Sequence, residues 1–125
     1  MTDPLLWLYL TNAVLLITHE IDSAYWKEWE LFKLPGGIAG FLLLHFPLLA
    51  VILYGLVLIA RQEPTGYLFS CALSLGGIFA FGIHMHFLKK GRQEFNAPIS
   101  KLILGVLLIV SLVQLMFTLM AINTH

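Results

Sequence analysis

The stretch LLITHEIDSAYWKEWELF, residues 15–32, begins as the end of a long apolar run and then places His19, Glu20 and Asp22 within four positions. An apolar segment of about 20 residues can cross the ~30 Å hydrocarbon layer of a membrane as a helix. The three ionisable side chains therefore lie either in water at the membrane surface or inside the membrane, and the rest of the sequence bears on that choice.

The composition indicates a membrane protein. Of the 125 residues, 59% are hydrophobic and 11% are charged, whereas soluble domains carry roughly 25% charged residues. A small soluble domain must cover its core with polar surface, and this chain has too few polar residues to do so. Seven basic residues balance seven acidic ones, so the net charge gives no indication of a nucleic-acid partner.

Four apolar segments are each long enough to span a membrane. They are residues 5–26, 37–60, 67–88 and 99–122. This pattern predicts an all-α, single-domain protein (residues 1–125) that forms a four-helix transmembrane bundle with the lipid bilayer as its partner. After the first span, Tyr25, Trp29 and Phe32 recur at helical spacing between charged residues. That pattern predicts a short amphipathic helix at the membrane interface, with its aromatic rings at headgroup level.

The lysine and arginine residues predict the orientation of the bundle. Six of the seven lie in or beside the first and third loops, and only Arg61 lies on the opposite side. Positively charged loops stay on the cytoplasmic side of a membrane. We therefore expect the first and third loops in the cytoplasm and both termini outside.

Four of the five histidines fall inside the predicted spans and on the same side of the membrane. At a rise of ~1.5 Å per residue, His19 and His45 lie roughly 10 and 12 Å below the cytoplasmic ends of their spans. His84 and His86 lie roughly 6 and 3 Å deep. Ionisable groups inside a membrane are costly and usually face the interior of the bundle. This shared depth predicts a polar site that is built from three helices near the cytoplasmic face.

Imidazoles on three helices with neighbouring carboxylates are typical of a site for zinc, iron, manganese or copper. The predicted ligands are His19, His45 and His84. Asp22 or Glu20 would act as a further ligand or would orient one of the imidazoles. We expect Asp22 to share a face with His19, and Glu20, about 100° further round the helix, to face a different neighbour.

The third span allows two further interpretations. His84 and His86 are two residues apart and point to nearly opposite sides of a helix, so His84 is expected to face inward and His86, also a candidate ligand, to face the headgroups. His45 and His84 could instead hold a haem b on facing helices. The chain has no CxxCH motif for covalent haem attachment.

The string THEIDSAYWKEWELFKLPGG, residues 18–37, resembles the opening segment of a family of small bacterial integral membrane proteins of unknown function. Members have a His-Glu-Ile-Asp start, a Tyr-Trp-Lys-Glu-Trp continuation and a Leu-Pro-Gly-Gly turn. A looser similarity connects the chain to the HXXEE domain, whose motif is not reproduced because Glu20 directly follows His19. The resemblance implies a bacterial inner (plasma) membrane and gives weight to His19, Glu20, Asp22 and Trp26.

The sequence leaves the function open between different classes. One interpretation is a metal centre that catalyses a redox or hydrolytic reaction of an apolar substrate, which would enter laterally from the lipid. The alternative is a non-enzymatic accessory or structural subunit, in a homo-oligomer or a larger membrane complex, whose polar residues are interhelical hydrogen bonds. A haem-binding membrane protein is the third interpretation.

Overall fold

A computed structural model of the chain describes residues 3–91 and 97–124. Within these ranges the chain forms five helices and no strands. The helices are α1 (Asp3–Tyr25), α2 (Glu28–Leu31), α3 (Gly37–Ala60), α4 (Thr65–Lys89) and α5 (Pro98–Asn123). Four of them, all except α2, are long and apolar enough to cross a membrane. The predicted all-α fold with four spans and a short helix after the first is confirmed.

The helix ends follow local signals in the sequence, and the four long helices begin and end within two residues of the predicted spans. Pro98 occupies the first turn of α5, where the N–H that proline lacks would have no helical partner. Pro64 precedes α4 and ends the short connection from α3. Arg92, which contributed to the predicted orientation, and the terminal His125 lie outside the described residues.

The bundle is apolar both inside and outside. Helix α5 packs against α4 and α1, while α3 packs against the same two helices from another side. Leu5, Leu104 and Leu107 are completely buried between helices, whereas Leu43 and Phe46 are 75% and 80% exposed. Helices that are hydrophobic all round suit a lipid environment. The interior is therefore distinguished from the outer surface mainly by its polar residues.

A first group of buried polar side chains joins α1, α4 and α5 around the middle of α1. The Asn12 amide donates hydrogen bonds to Gln114 Oε1 at 2.7 Å and to Ser111 Oγ at 3.1 Å. The Gln114 amide in turn donates to Ser70 Oγ at 2.9 Å, and the hydroxyls of Ser70 and Thr118 lie 2.7 Å apart. No water is available in hydrocarbon to satisfy such groups. This Asn12–Gln114 network therefore serves as interhelical hydrogen bonding.

Two adjacent glycines on α4 differ in what surrounds them. A Cβ atom on Gly77 would overlap Ser111 Oγ and come within 3.2 Å of Leu107 Cδ1. A Cβ atom on Gly76 would meet nothing within 4 Å. The close contact between α4 and α5 thus depends on the missing side chain at Gly77, in keeping with the role of small residues between membrane helices.

We expect Gly77→Ala to lower the free energy of unfolding by about 1–3 kcal/mol, the usual effect of inserting a methyl group into a packed interior. Gly76→Ala is the matched control and should leave the free energy of unfolding unchanged or raise it by up to about 1 kcal/mol, because alanine favours a helix over glycine. Reversible unfolding of the purified protein in detergent micelles measures both values. Equal stability of the two variants would contradict the close packing of α4 on α5.

Candidate metal centre

The segment between α1 and α3 folds back onto the bundle through a left-handed residue. Lys27 has φ 54° and ψ 56° and immediately precedes α2, and residues with a Cβ atom rarely adopt this conformation. Helix α2 contacts both α1 and α3, and Leu31 at its end is buried. As a result Glu28, the first residue of α2, faces the interior of the bundle.

Three ionisable side chains from three helices meet at this point. Glu28 Oε2 lies 2.9 Å from His84 Nε2, and the His19 ring meets the His84 ring edge-on with centroids 4.7 Å apart. One ligand atom from each of the three residues lies within 4.8 Å of the other two. His19 and His84 are buried and Glu28 is half-buried. We call this set the His19–Glu28–His84 cluster.

The orientation of His84 is fixed by the backbone of its own helix. His84 Nδ1 lies 2.7 Å from the carbonyl oxygen of Ala80, and Nδ1 must donate because a carbonyl can only accept. In the neutral ring Nε2 then carries a lone pair, which points at the Glu28 carboxylate. Two lone pairs at 2.9 Å repel each other unless a cation lies between them. The contact therefore requires either a proton or a metal ion.

A second imidazole–carboxylate pair repeats this arrangement on α1 and α3. His45 Nδ1 donates to the carbonyl oxygen of Phe41 at 2.8 Å, and His45 Nε2 lies 2.5 Å from Glu20 Oε2. The Phe41 ring stacks on the His45 ring with centroids 3.8 Å apart. We call these two residues the Glu20–His45 pair. Glu20 also interacts electrostatically with Glu28 and His84.

The Glu28 carboxyl, which lies on α2 outside the long helices, is held in its charged form. Burial raises its pKa, but the hydrogen bonds with His84 and Ser23 and the electrostatic interactions with His84 and His19 together lower the pKa by more than burial raises it. The net result is a pKa below the ordinary value. Glu28 is therefore a carboxylate at neutral pH, which is the form that binds a metal. Ser23 Oγ lies 3.0 Å from Glu28 Oε2 and holds that oxygen in place.

The other predicted site residues have different surroundings. Trp26 Nε1 donates to Asp22 Oδ1 at 3.0 Å and lies 3.4 Å from Ser100 Oγ at the start of α5. Asp22 thus links α1 towards α5 through Trp26. His86 is exposed on α4. The structure brings His19 and His84 together with Glu28 and places His45 with Glu20, while metal binding by any of these residues stays a prediction.

Glu28 is the residue that the sequence analysis missed as a site member. The segment around it was assigned to the membrane interface, but only Tyr25 of its three marker aromatics points clearly outward, at 76% exposed. Trp29 packs on Phe41 with ring centroids 5.4 Å apart, and Phe32 lies 6.1 Å from the His84 ring. The only sequence signal for Glu28 as a site residue is its position a few residues after a helix that carries buried polar groups. Many surface loops have a carboxylate in such a position, so this signal is not specific.

Comparison with known proteins gives the family but no activity. The model of the family of unknown function DUF6713 matches residues 5–121. The chain belongs to this family. No curated protein and no solved structure matches the chain. The predicted membership in a family of unknown function is thereby confirmed, whereas the bacterial setting and the similarity to the HXXEE domain stay predictions. The function must therefore be argued from the geometry of the site.

Proposed function

We propose that this protein is a multi-pass membrane protein that binds a divalent transition metal ion at the His19–Glu28–His84 cluster. The observation that carries the proposal is the convergence of two imidazoles and one carboxylate, each from a different helix, with ligand atoms within 4.8 Å of one another. These groups lie where charge is expensive to bury. A bound cation offsets the Glu28 charge and removes the repulsion between Glu28 and His84.

The donor set favours zinc or iron over the other metals that the sequence allows. Two histidines and one carboxylate make up catalytic zinc sites that keep an open fourth position, and the same set holds iron(II) in non-haem oxygenases. Manganese prefers oxygen ligands and copper(I) prefers sulfur ligands. The backbone hydrogen bond at His84 Nδ1 supports metal binding further, because metal-binding histidines usually donate their other ring N–H to a fixed acceptor.

The surroundings of the site favour an apolar substrate. A groove of about 190 Å³ lies between α1 and α3 on the outer surface of the bundle, and its wall includes Glu20 and His45. The rest of its lining is apolar, with Ile17, Leu42 and Leu49 among its residues. In a membrane this groove faces lipid. A metal ion with an open coordination position can activate water for hydrolysis or take part in a redox reaction. The groove would admit a lipid-soluble molecule sideways to the Glu20–His45 pair, although the three cluster residues do not line it.

Two other interpretations receive less support. For haem b, His45 and His84 would have to direct Nε2 at a shared iron, but each Nε2 faces its own carboxylate, at 2.5 Å and 2.9 Å. The non-enzymatic accessory subunit is the second candidate, and the Asn12–Gln114 network favours it as a set of purely interhelical hydrogen bonds. That network is made of neutral groups that satisfy one another, whereas the Glu28–His84 contact of the cluster needs a shared proton or a metal ion.

Metal analysis of protein purified in detergent without chelators tests the proposed function. We expect stoichiometric zinc or iron in the wild type and the loss of a bound ion in His84→Ala and Glu28→Gln. Glu28→Gln keeps a hydrogen-bonding group at this position but removes the carboxylate ligand, so the fold should persist. His86→Ala and Glu30→Gln are matched controls at exposed positions two residues away. Metal-free wild type, or metal content unchanged in both cluster variants, would refute the proposal.

The orientation in the membrane belongs to the same proposal. Lys27, Lys33, Lys89 and Lys101 all lie at the end of the bundle that carries the cluster, and positive charge favours the cytoplasmic side. We place this end in the cytoplasm of a bacterial cell, in the inner membrane, with both termini outside.

Cysteine labelling of intact cells checks this orientation in a Cys71→Ser background. A membrane-impermeant maleimide should label Arg61→Cys directly and should label Lys90→Cys only after permeabilisation. Both positions are exposed at opposite ends of the bundle. Direct labelling at position 90 together with protection at position 61 would show the reverse orientation.

A further inference from the structure

A second groove lies between α4 and α5, on a different side of the bundle from the groove between α1 and α3. Its volume is about 550 Å³, and the described residues that line it are Phe81, Met85, Leu88, Lys89 and Lys101. The three apolar side chains are half-buried, and the two lysines are exposed. We call it the α4–α5 groove, and it combines an apolar floor with a positively charged end.

The helix positions of the lining residues give the groove its direction. Lys89 is the last residue of α4, and Lys101 follows the first residue of α5 by three positions. Phe81 precedes Lys89 by eight residues and therefore lies about 12 Å deeper along the helix. Lysines at the ends of membrane helices extend their amino groups to the interface. The groove thus runs from the level of the lipid headgroups into the hydrocarbon layer.

The two lysines determine the sign of the charge at this end of the groove. The C-terminal end of α4 carries a partial negative charge and the N-terminal end of α5 a partial positive charge, so the two helix dipoles oppose each other here. Among the described residues that line the groove, none is acidic. The positive charges of Lys89 and Lys101 are therefore left to attract an anion.

We infer that the α4–α5 groove binds an anionic phospholipid of the bilayer, with its phosphate at Lys89 and Lys101 and an acyl chain along the apolar floor. Ammonium groups form strong, charge-assisted hydrogen bonds with phosphate oxygens, and basic pockets between membrane helices are suited to lipid headgroups. The apolar floor distinguishes a phospholipid from a free phosphate ion. The inference goes beyond the proposed function and does not depend on it, because none of these residues belongs to the His19–Glu28–His84 cluster.

Two glycines leave further space for lipid on the helix faces that carry the lysines. Gly105 follows Lys101 by one turn, and Gly82 precedes Lys89 by two turns, so each glycine shares a face with its lysine. A Cβ atom on either glycine would meet nothing within 4 Å. The surface beside the groove is therefore smooth enough for a second acyl chain to lie against it.

The test is a titration of delipidated full-length protein in detergent with phosphatidylglycerol or phosphatidylcholine, followed by native mass spectrometry. The wild type should bind one phosphatidylglycerol more tightly than any phosphatidylcholine. Lys89→Gln and Lys101→Gln should each weaken phosphatidylglycerol binding about fivefold, the effect of removing one lysine beside an anionic lipid. Lys33→Gln is the matched control, because this exposed lysine lies at the same end of the bundle but outside the groove, and it should leave the affinity unchanged.

A second measurement locates the bound lipid. Phosphatidylglycerol with a photoreactive diazirine in its acyl chain should form cross-links to the segment from Phe81 to Leu88, and excess glycerol phosphate, which lacks acyl chains, should not prevent them. Cross-links confined to other parts of the bundle, or their loss with glycerol phosphate, would overturn the inference. Glu28→Gln should bind the lipid as the wild type does, so the outcome is separate from that of the metal analysis.

The titration has its own contradicting outcomes. Equal affinity for the two lipids, or an equal loss of affinity in Lys33→Gln and Lys89→Gln, would show general attraction to the membrane surface in place of a site. A dimer that dissociates in Lys89→Gln would show that a second copy of the chain occupies the groove. Circular dichroism confirms that each variant is folded.

Discussion

The contact between Glu28 and His84 determines how the first loop of this protein folds. Helix α2 has four residues, and isolated helices of that length are not stable in water. Its first residue meets His84 across 56 positions of sequence, and its last residue, Leu31, is buried. These contacts compensate for the left-handed backbone at Lys27, a conformation that costs roughly 1–2 kcal/mol. Without these contacts, nothing would favour the conformation in which this segment turns back over His19.

The buried polar side chains of the bundle are satisfied in two different ways. In the Asn12–Gln114 network every member is neutral, and amides and hydroxyls satisfy one another across α1, α4 and α5. In the cluster and the Glu20–His45 pair, carboxylates meet imidazole lone pairs whose other nitrogen is already used by the backbone. The first arrangement is complete as it stands, while each imidazole–carboxylate contact of the second needs a shared proton or a metal ion. That difference explains why we assign structure to one set and function to the other.

The four spans could be predicted from the sequence because a helix must reach a minimum length to cross a membrane, and few apolar segments reach that length by chance. The sequence was also sufficient for the burial of His19, His45 and His84, since ionisable groups at depth face the interior. Helical phase placed Glu20 on a different face from His19, and the structure shows His45 as its neighbour. Helical phase gives the face on which a residue lies but not the helix that packs against that face. It therefore could not predict that His19 and His84 belong to the cluster and His45 to the pair.

The position of Glu28 could not be derived in the same way. A helix of one turn has no periodicity to read, and the reversal occurs at Lys27, a residue type with no preference for a left-handed backbone. Only the tertiary contacts of α2 select that conformation. Asp22 illustrates the same limit, because its spacing from His19 indicated a shared face but could not show that its carboxylate accepts a hydrogen bond from Trp26.

The most direct test of the account is whether residue 28 itself binds the metal. In a Cys71→Ser background, Glu28→Cys would place a thiolate, a good transition-metal ligand, on the same backbone position as the carboxylate but closer to the backbone of α2. We predict that the Co²⁺-loaded variant shows a thiolate-to-cobalt charge-transfer band in the near-ultraviolet, and that Glu30→Cys, exposed on the same short helix, shows none. Bound cobalt without that band in Glu28→Cys would contradict the account, because the metal would then lie away from α2.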